Sequence, residues 1–184
     1  MKTLILEGKN VVLRAPEPMD IDALYLWEND PALWKISNTR APYSRYVLEQ
    51  YILNAHEDIY KAGQLRLMID LKDAGKENTS IGAIDLFDFD PANKKAGIGI
   101  LIAENFRTRG YAMEALGLLI GYCFSVLSLH QVYCNIGTDN PESLHLFQKS
   151  GFKIIGVKKD WIFFGNKWYD EYILQLINQH DKGI

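Results

Sequence analysis

Gly97-Ile98-Gly99-Ile100-Leu101-Ile102-Ala103 leads through Glu104-Asn105-Phe106 into Arg107-Thr108-Arg109-Gly110-Tyr111-Ala112, an apolar strand turning by a short loop into a helix. The helix signal is a continuous apolar stripe, with Ala112, Ala115, Leu116, Leu119, Ile120, Cys123, Phe124 and Leu127 at offsets of three and four. At the start of such a helix the first backbone N–H groups lack partners, and the macrodipole makes that end partly positive. A phosphate suits this place. Gly110 and Ala112 keep side-chain bulk away from the approach, and Arg107 and Arg109 add charge-assisted hydrogen bonds. The same residues also read as a solvated basic turn, with Gly110 present only for its backbone angles. The stretch is not a Gly-rich dinucleotide fingerprint, because Gly97-x-Gly99 lies within the strand. It is not a P-loop either, since no Gly-Lys-Ser/Thr follows.

Upstream, Leu65 to Leu71, Ile81 to Phe89 and Ala96 to Ala103 read as three strands. They are joined by the polar turns Asp73–Asn78 and Asp90–Asn93, too short for parallel crossovers, so they form an antiparallel meander. Before them, Asn10 to Leu13 alternates as a short strand. Asp20 is placed to cap a helix through Leu24, Trp27 and Glu28 that ends near Asp30-Pro31. Ser44 is placed to cap a second, whose apolar spacing runs from Val47 to Ile59. Downstream, Val132 to Ile136 is a strand, so strand, helix and strand form a crossover unit. Asn140-Pro141 opens another helix and Gly151 ends it. Ile154 to Phe164 and Trp168 to Leu176 flank Gly165-Asn166, a tight hairpin signal.

The chain has 184 residues, enough for one well-buried core, and shows no repeat or low-complexity linker, so residues 1–184 read as a single domain. The formal charge of −3 argues against a nucleic-acid footprint and leaves room for a cationic substrate. Cys123 and Cys134 sit in apolar segments and read as buried free thiols, suited to a reducing cytoplasm. No signal peptide and no bilayer-length apolar run is present, so no membrane association is expected. His56, His130, His145 and His180 are scattered, and no metal is expected. The tail from Asn178 to Ile184 is polar and expected to fray.

The strand followed by Arg107-x-x-Gly110-x-Ala112 resembles the acetyl-CoA motif of the GNAT acetyltransferase superfamily. A second stretch matches too: Asn140-Pro141-Glu142-Ser143, then Leu146-Phe147-Gln148-Lys149-Ser150-Gly151-Phe152, resembles that family's N-x-x-S/A-x-x-x-Y/F-x-x-x-G-F. The resemblance covers essentially the whole chain. It implies an α+β fold in α/β/α layers, with a mixed, mostly antiparallel twisted sheet of about seven strands. Its central pair would splay apart, and about four helices would flank it. It also implies acetyl-CoA as cosubstrate. The pantetheine arm would meet backbone groups at Leu101, Ile102 and Ala103, with a backbone N–H near Ile102 facing the oxyanion. The pyrophosphate would sit on Arg107, Thr108, Arg109, Gly110, Tyr111 and Ala112. Asn140, Ser143 and Phe147 would border the arm, and Asn140 reads equally as a plain helix cap. A homodimer is common among the families resembled.

Two usual groups are missing. Many relatives carry a tyrosine where this chain has Phe147, and a glutamate where it has Gly97. Deprotonating a primary amine of pKa near 10.4 costs about 4.6 kcal/mol at pH 7, whereas a thiolate leaving group of pKa near 8.5 lies only about 2 kcal/mol uphill. Losing the acid is therefore the lighter loss; Tyr133, Tyr169 and His145 are conceivable donors. Asp85, an acid within the apolar Ile84–Phe87 run, reads as a base, as an amine binder, or as a structural hydrogen-bonding group. With Glu28, Asp88 and Tyr169 it makes a candidate acceptor site. Within the superfamily the chain is similar to the polyamine and the ribosomal-protein amino-terminal branches. The expected activity is N-acetylation of a primary amine, with a small di- or polyamine favoured. A protein amino terminus is the alternative acceptor, and a non-catalytic acetyl-CoA sensor or another phosphate ligand the alternatives of a different class.

Overall fold

The computed structural model describes residues 6–37, 39–55, 57–72 and 79–179. The turn expected over Asp73–Asn78, the residues His56 and His180, and the last part of the polar tail lie outside the described residues. Seven strands form one sheet: β1 (Val11–Arg14), β2 (Leu65–Leu71), β3 (Thr79–Asp90), β4 (Lys95–Ile102), β5 (Gln131–Gly137), β6 (Lys153–Phe164) and β7 (Lys167–Ile177). Their spatial order is β1-β2-β3-β4-β5-β7-β6. Every neighbouring pair is antiparallel except β4 and β5. That exception follows from the crossover helix α5 (Tyr111–Ser125) between them, which returns the chain in the same direction.

The apolar stripe of α5 buries Ala115, Leu116, Leu119 and Cys123 against the sheet, which contributes Ile84, Leu86, Ile98 and Val132. On the opposite face α1 (Ile21–Glu28) and α3 (Arg45–Leu53) close over β2, with Leu24 and Ile52 packed on Met68. Each fully buried aliphatic side chain contributes about 1.5–3 kcal/mol. The sheet is therefore clamped from both sides. Both cysteines are buried and free, and burial pushes each thiol up to about 12.

Local chemistry explains most element ends. Ser44 accepts the Val47 N–H at the start of α3, and Asn140 accepts that of Ser143 at the start of α6 (Pro141–Lys149). Gly151 (φ 95°) ends α6, and Gly165 with Asn166 (φ 56° and 61°) makes the β6–β7 turn. The second helix does not run to Ile59. It stops at Leu53, and a separate turn of helix, α4 (Ile59–Ala62), begins where Asp58 accepts the Tyr60 N–H at 2.7 Å. Pro31 does not merely end α1 but opens α2 (Pro31–Ser37), since proline at a first helical position sacrifices no hydrogen bond.

Asp20 stands at the start of α1 without capping it by its side chain. Its carboxylate is drawn instead to Arg14, at 2.7 and 2.8 Å, and to the Glu17 N–H at 2.7 Å. Arg14 also donates to Asp70 at 2.6 Å, and Ser80 donates to Asp70 at 2.6 Å. This sealed cluster joins β1, β2 and β3 to the entry of α1.

Candidate active site

β4 and β5 pair only at Lys95–Gln131, Ala96–Val132 and Gly97–Tyr133, and then part. The alternation of the β3–β4 ladder determines what β4 turns toward the opening. Ala103 donates its N–H to the Ile81 carbonyl at 2.8 Å, so Gly99 and Leu101 spend their backbone groups on the β3 side, while the Ala103 carbonyl accepts the Phe106 N–H at 2.9 Å. Ile98, Ile100 and Ile102 direct theirs toward the parted β5. Of the three residues expected to contact an arm there, Ile102 has its backbone groups on the side of the opening, Leu101 faces β3, and Ala103 has its N–H on Ile81 and its carbonyl on Phe106. The Ile102 carbonyl accepts Arg107 Nε at 2.9 Å.

The opening leads to the start of α5. Arg107, Thr108, Arg109 and Gly110 are exposed, and Gly110 occupies the N-cap position with no side-chain cap. The first backbone bond of the helix is that from the Glu114 N–H to the Gly110 carbonyl. Gly110 has φ 85°, and a Cβ there would meet nothing within 4 Å, so its backbone angle alone accounts for glycine. Tyr111 and Ala112 begin the helix half-buried. Among the described residues, no side chain caps the start of α5. Asn140 uses its side-chain oxygen on the Ser143 N–H at 3.1 Å, so Asn140 is a helix cap.

On the α1/α3 face of the sheet lies a cavity of about 360 Å³. Glu28, Arg66 and Asp85 line it together with Tyr43, Tyr51 and Phe87. Asp85 is opposite Gly99 on β4 and Arg66 on β2, so the three share a face. Arg66 grips both Asp85 oxygens, at 2.7 and 3.0 Å, and its other terminal nitrogen donates to Glu28. Burial lowers the Arg66 pKa, and the facing Asp85 and Glu28 carboxylates more than reverse this, so the guanidinium is charged. Burial raises the Tyr51 phenol, which stays neutral. Arg66 was not among the residues expected from sequence. Its signal was an arginine in an apolar strand with an acid at the matching register of the next.

Asp88 and Tyr169, the other expected acceptor residues, do not line this cavity. Asp88 accepts the Tyr133 hydroxyl at 2.9 Å, and the Tyr169 ring already has Lys35 Nζ 3.1 Å from its centre. Burial, then the Asp88 carboxylate, raise the Tyr133 phenol, which keeps its proton. Phe147 is buried and packs edge-on to Phe152, with ring centres 5.0 Å apart. A Cβ on Gly97 would lie 2.2 Å from the Phe87 ring, so that ring takes the room a β4 side chain would need. His145 is exposed on α6.

Known proteins share sequence and fold with this chain. The spermidine N(1)-acetyltransferase of Vibrio cholerae is 27% identical over 137 residues, covering 73% of this chain and 76% of its own. A crystal structure of the spermidine N-acetyltransferase from Vibrio cholerae in complex with CoA and spermine is similar with a TM-score of 0.81 at 22% identity, covering 91% of this chain and 95% of that one. A dodecameric structure of that Vibrio cholerae enzyme in an intermediate state gives 0.75 at 23%, covering 91% and 94%. At these identities the two structures show a shared fold. The acetyltransferase (GNAT) domain family itself matches residues 10–153, from just before β1 to the first residue of β6. By that match, and by the strands that part beside the uncapped start of α5, this chain belongs to the GNAT acetyltransferase family and is an N-acetyltransferase.

Proposed function

We propose that the chain transfers an acetyl group from acetyl-CoA to a primary amine, and that the amine is a small di- or polyamine held in the cavity. The observation that carries this reading is the parting of β4 from β5 beside an uncapped helix mouth, one strand away from a cavity lined by two carboxylates. The residues present fit CoA. Amides from Arg109 to Ala112, with the charges of Arg107 and Arg109, suit a pyrophosphate. The outward backbone groups of Ile98 and Ile100 suit an amide-bearing arm laid along the strand as pantetheine is. Acetyl-CoA supplies an activated thioester when bound.

The chain's own groups then have distinct tasks. We assign oxyanion stabilisation to the Ile102 N–H, on the edge of β4 that faces the opening. Glu28 and Asp85 attract the ammonium form of the acceptor, and each Asp85 oxygen keeps a lone pair beyond its bond to Arg66. A carboxylate so bound is better suited to hold and orient an amine than to act as a free base. Tyr43, Tyr51 and Phe87 give methylene groups an apolar lining. The names of the relatives support a polyamine acceptor, and an acidic cavity, rather than a groove for extended backbone, supports it over a protein terminus.

Thioester consumption with a panel of amines tests the reading, beside thermal shifts with acetyl-CoA, CoA and nucleotides. Stabilisation by both CoA species and turnover with amines is expected. Stabilisation without turnover leaves a sensor, and no shift with either CoA species defeats the proposal.

The exposed apolar residues of the β6–β7 hairpin, among them Ile155, Trp161 and Trp168, each more than half exposed, favour a homo-oligomer through that edge. Light scattering that reports a monomer overturns it. Two buried thiols suit a reducing cytoplasm, and no helix among the described residues is long and apolar enough to cross a membrane.

A further inference from the structure

We infer that Arg66 is an internal counter-ion that sets the charge selectivity of the acceptor cavity, limiting it to one cationic nitrogen at a time. The inference rests on the reading of the cavity as the acceptor site. Its basis is a count of charges and a geometry. Glu28 and Asp85 are the carboxylates lining the cavity, and Arg66 is the guanidinium there. Its three nitrogens bridge the two acids, Nε and one terminal nitrogen on Asp85 and the other terminal nitrogen on Glu28. Two negative charges against one positive leave a single net negative charge, at a place where water is only partly admitted. One ammonium group balances it; a second cation inside meets a fixed guanidinium with no free acid to receive it.

The location makes this a matter of selectivity rather than of folding alone. The Glu28 and Asp85 side chains are 18% and 29% exposed, so a ligand in the cavity reaches them while Arg66 still holds them. Apart from Gln64, the rest of the wall is apolar or aromatic, with Tyr51 beneath the guanidinium, its ring centre 5.5 Å away. A terminal ammonium with an apolar stem fits this composition. Further nitrogens of a longer amine remain outside, where solvent screens them. Arg66 is therefore a specificity-determining residue that acts through the acids it holds.

The test compares kcat/KM for spermidine with that for n-butylamine, which shares an aminobutyl end but brings one cationic nitrogen. Arg66→Met removes the internal cation, deepens the cavity charge, and raises the spermidine-to-butylamine ratio about tenfold, mainly through the KM of spermidine. Glu28→Gln moves the charge the other way and lowers the ratio. The double variant Arg66→Met/Glu28→Gln restores the net charge and returns the ratio toward that of the parent. Arg66→Lys keeps the cation but loses the three-nitrogen bridge, so it shifts the ratio less than Arg66→Met does. Circular dichroism establishes that each variant is folded, and because the two single changes act in opposite directions, loss of one variant to misfolding leaves the other decisive. If the amines are acetylated but the ratio is the same in every folded variant, the role of Arg66 is overturned while the acetyltransferase reading stands. If neither the parent nor any folded variant acetylates an amine, the acceptor-site reading falls and this inference with it.

Discussion

Two clusters in this molecule have the same ionic inventory, one arginine between two carboxylates, and opposite settings. Arg14 with Asp20 and Asp70 is sealed: the carboxylates are 4% and 2% exposed, and Ser80 and a backbone N–H complete their hydrogen bonding. Arg66 with Glu28 and Asp85 opens on a cavity, and its acids are 18% and 29% exposed. The two guanidinium side chains are almost equally exposed, at 20% and 21%. What separates the clusters is whether the acids can be reached. A sealed triad holds strands together; an open one leaves lone pairs for a ligand.

The largest expected effect breaks the sealed cluster. Arg14→Met leaves two buried carboxylates without their cation and should cost about 3–5 kcal/mol in denaturant unfolding. Arg66→Met should cost clearly less, because water in the cavity reaches the acids. Equal losses would erase the distinction.

Next comes activity. Asp85→Asn should lower kcat/KM at least about tenfold, roughly 1.4 kcal/mol of transition-state binding, with little change in unfolding midpoint. Unchanged kinetics across pH would remove Asp85 from the site. A smaller effect is expected at Ser80→Ala, which takes one hydrogen bond from Asp70 at 2.6 Å and should cost about 1 kcal/mol with activity retained.

The finest distinction is in acid. Burial alone would raise the Asp20 carboxyl, but the hydrogen bonds from Arg14 and the Glu17 N–H outweigh it and hold the group below the ordinary carboxylate range. A depressed folded pKa stabilises the protein above the pKa of the unfolded chain, and this is lost as pH falls through the folded value. Asp20→Asn should therefore flatten the acid limb of the stability curve below about pH 4. An acid limb as steep as the parent's would contradict it.

Much of this was legible in the sequence, for reasons of local chemistry. The apolar stripe of α5, the caps Ser44 and Asn140, and the turn residues Gly151 and Gly165-Asn166 act over a few neighbours, so they can be read without the rest of the chain. The loop before α5 was legible because its features, an arginine-rich approach and a glycine at a left-handed position, lie within one short stretch. The break after Leu53 escaped because apolar spacing alone continued past it, while Asp58 offered a competing cap. Asp20 was misread because a carboxylate beside a helix start looks like a cap until Arg14 is folded against it.

By itself, then, the amino-acid order determined the succession of strands and helices and the arginine-and-glycine make-up of the loop before α5, since periodicity and turn chemistry are short-range. Only the tertiary structure decided that β4 and β5 part after three pairs, that Phe87 takes the room beside Gly97, and that Arg66 lies between Glu28 and Asp85. Those depend on sheet register and on side chains far apart along the chain. Electrostatics and steric fit act through space, and space is assigned only when the chain folds.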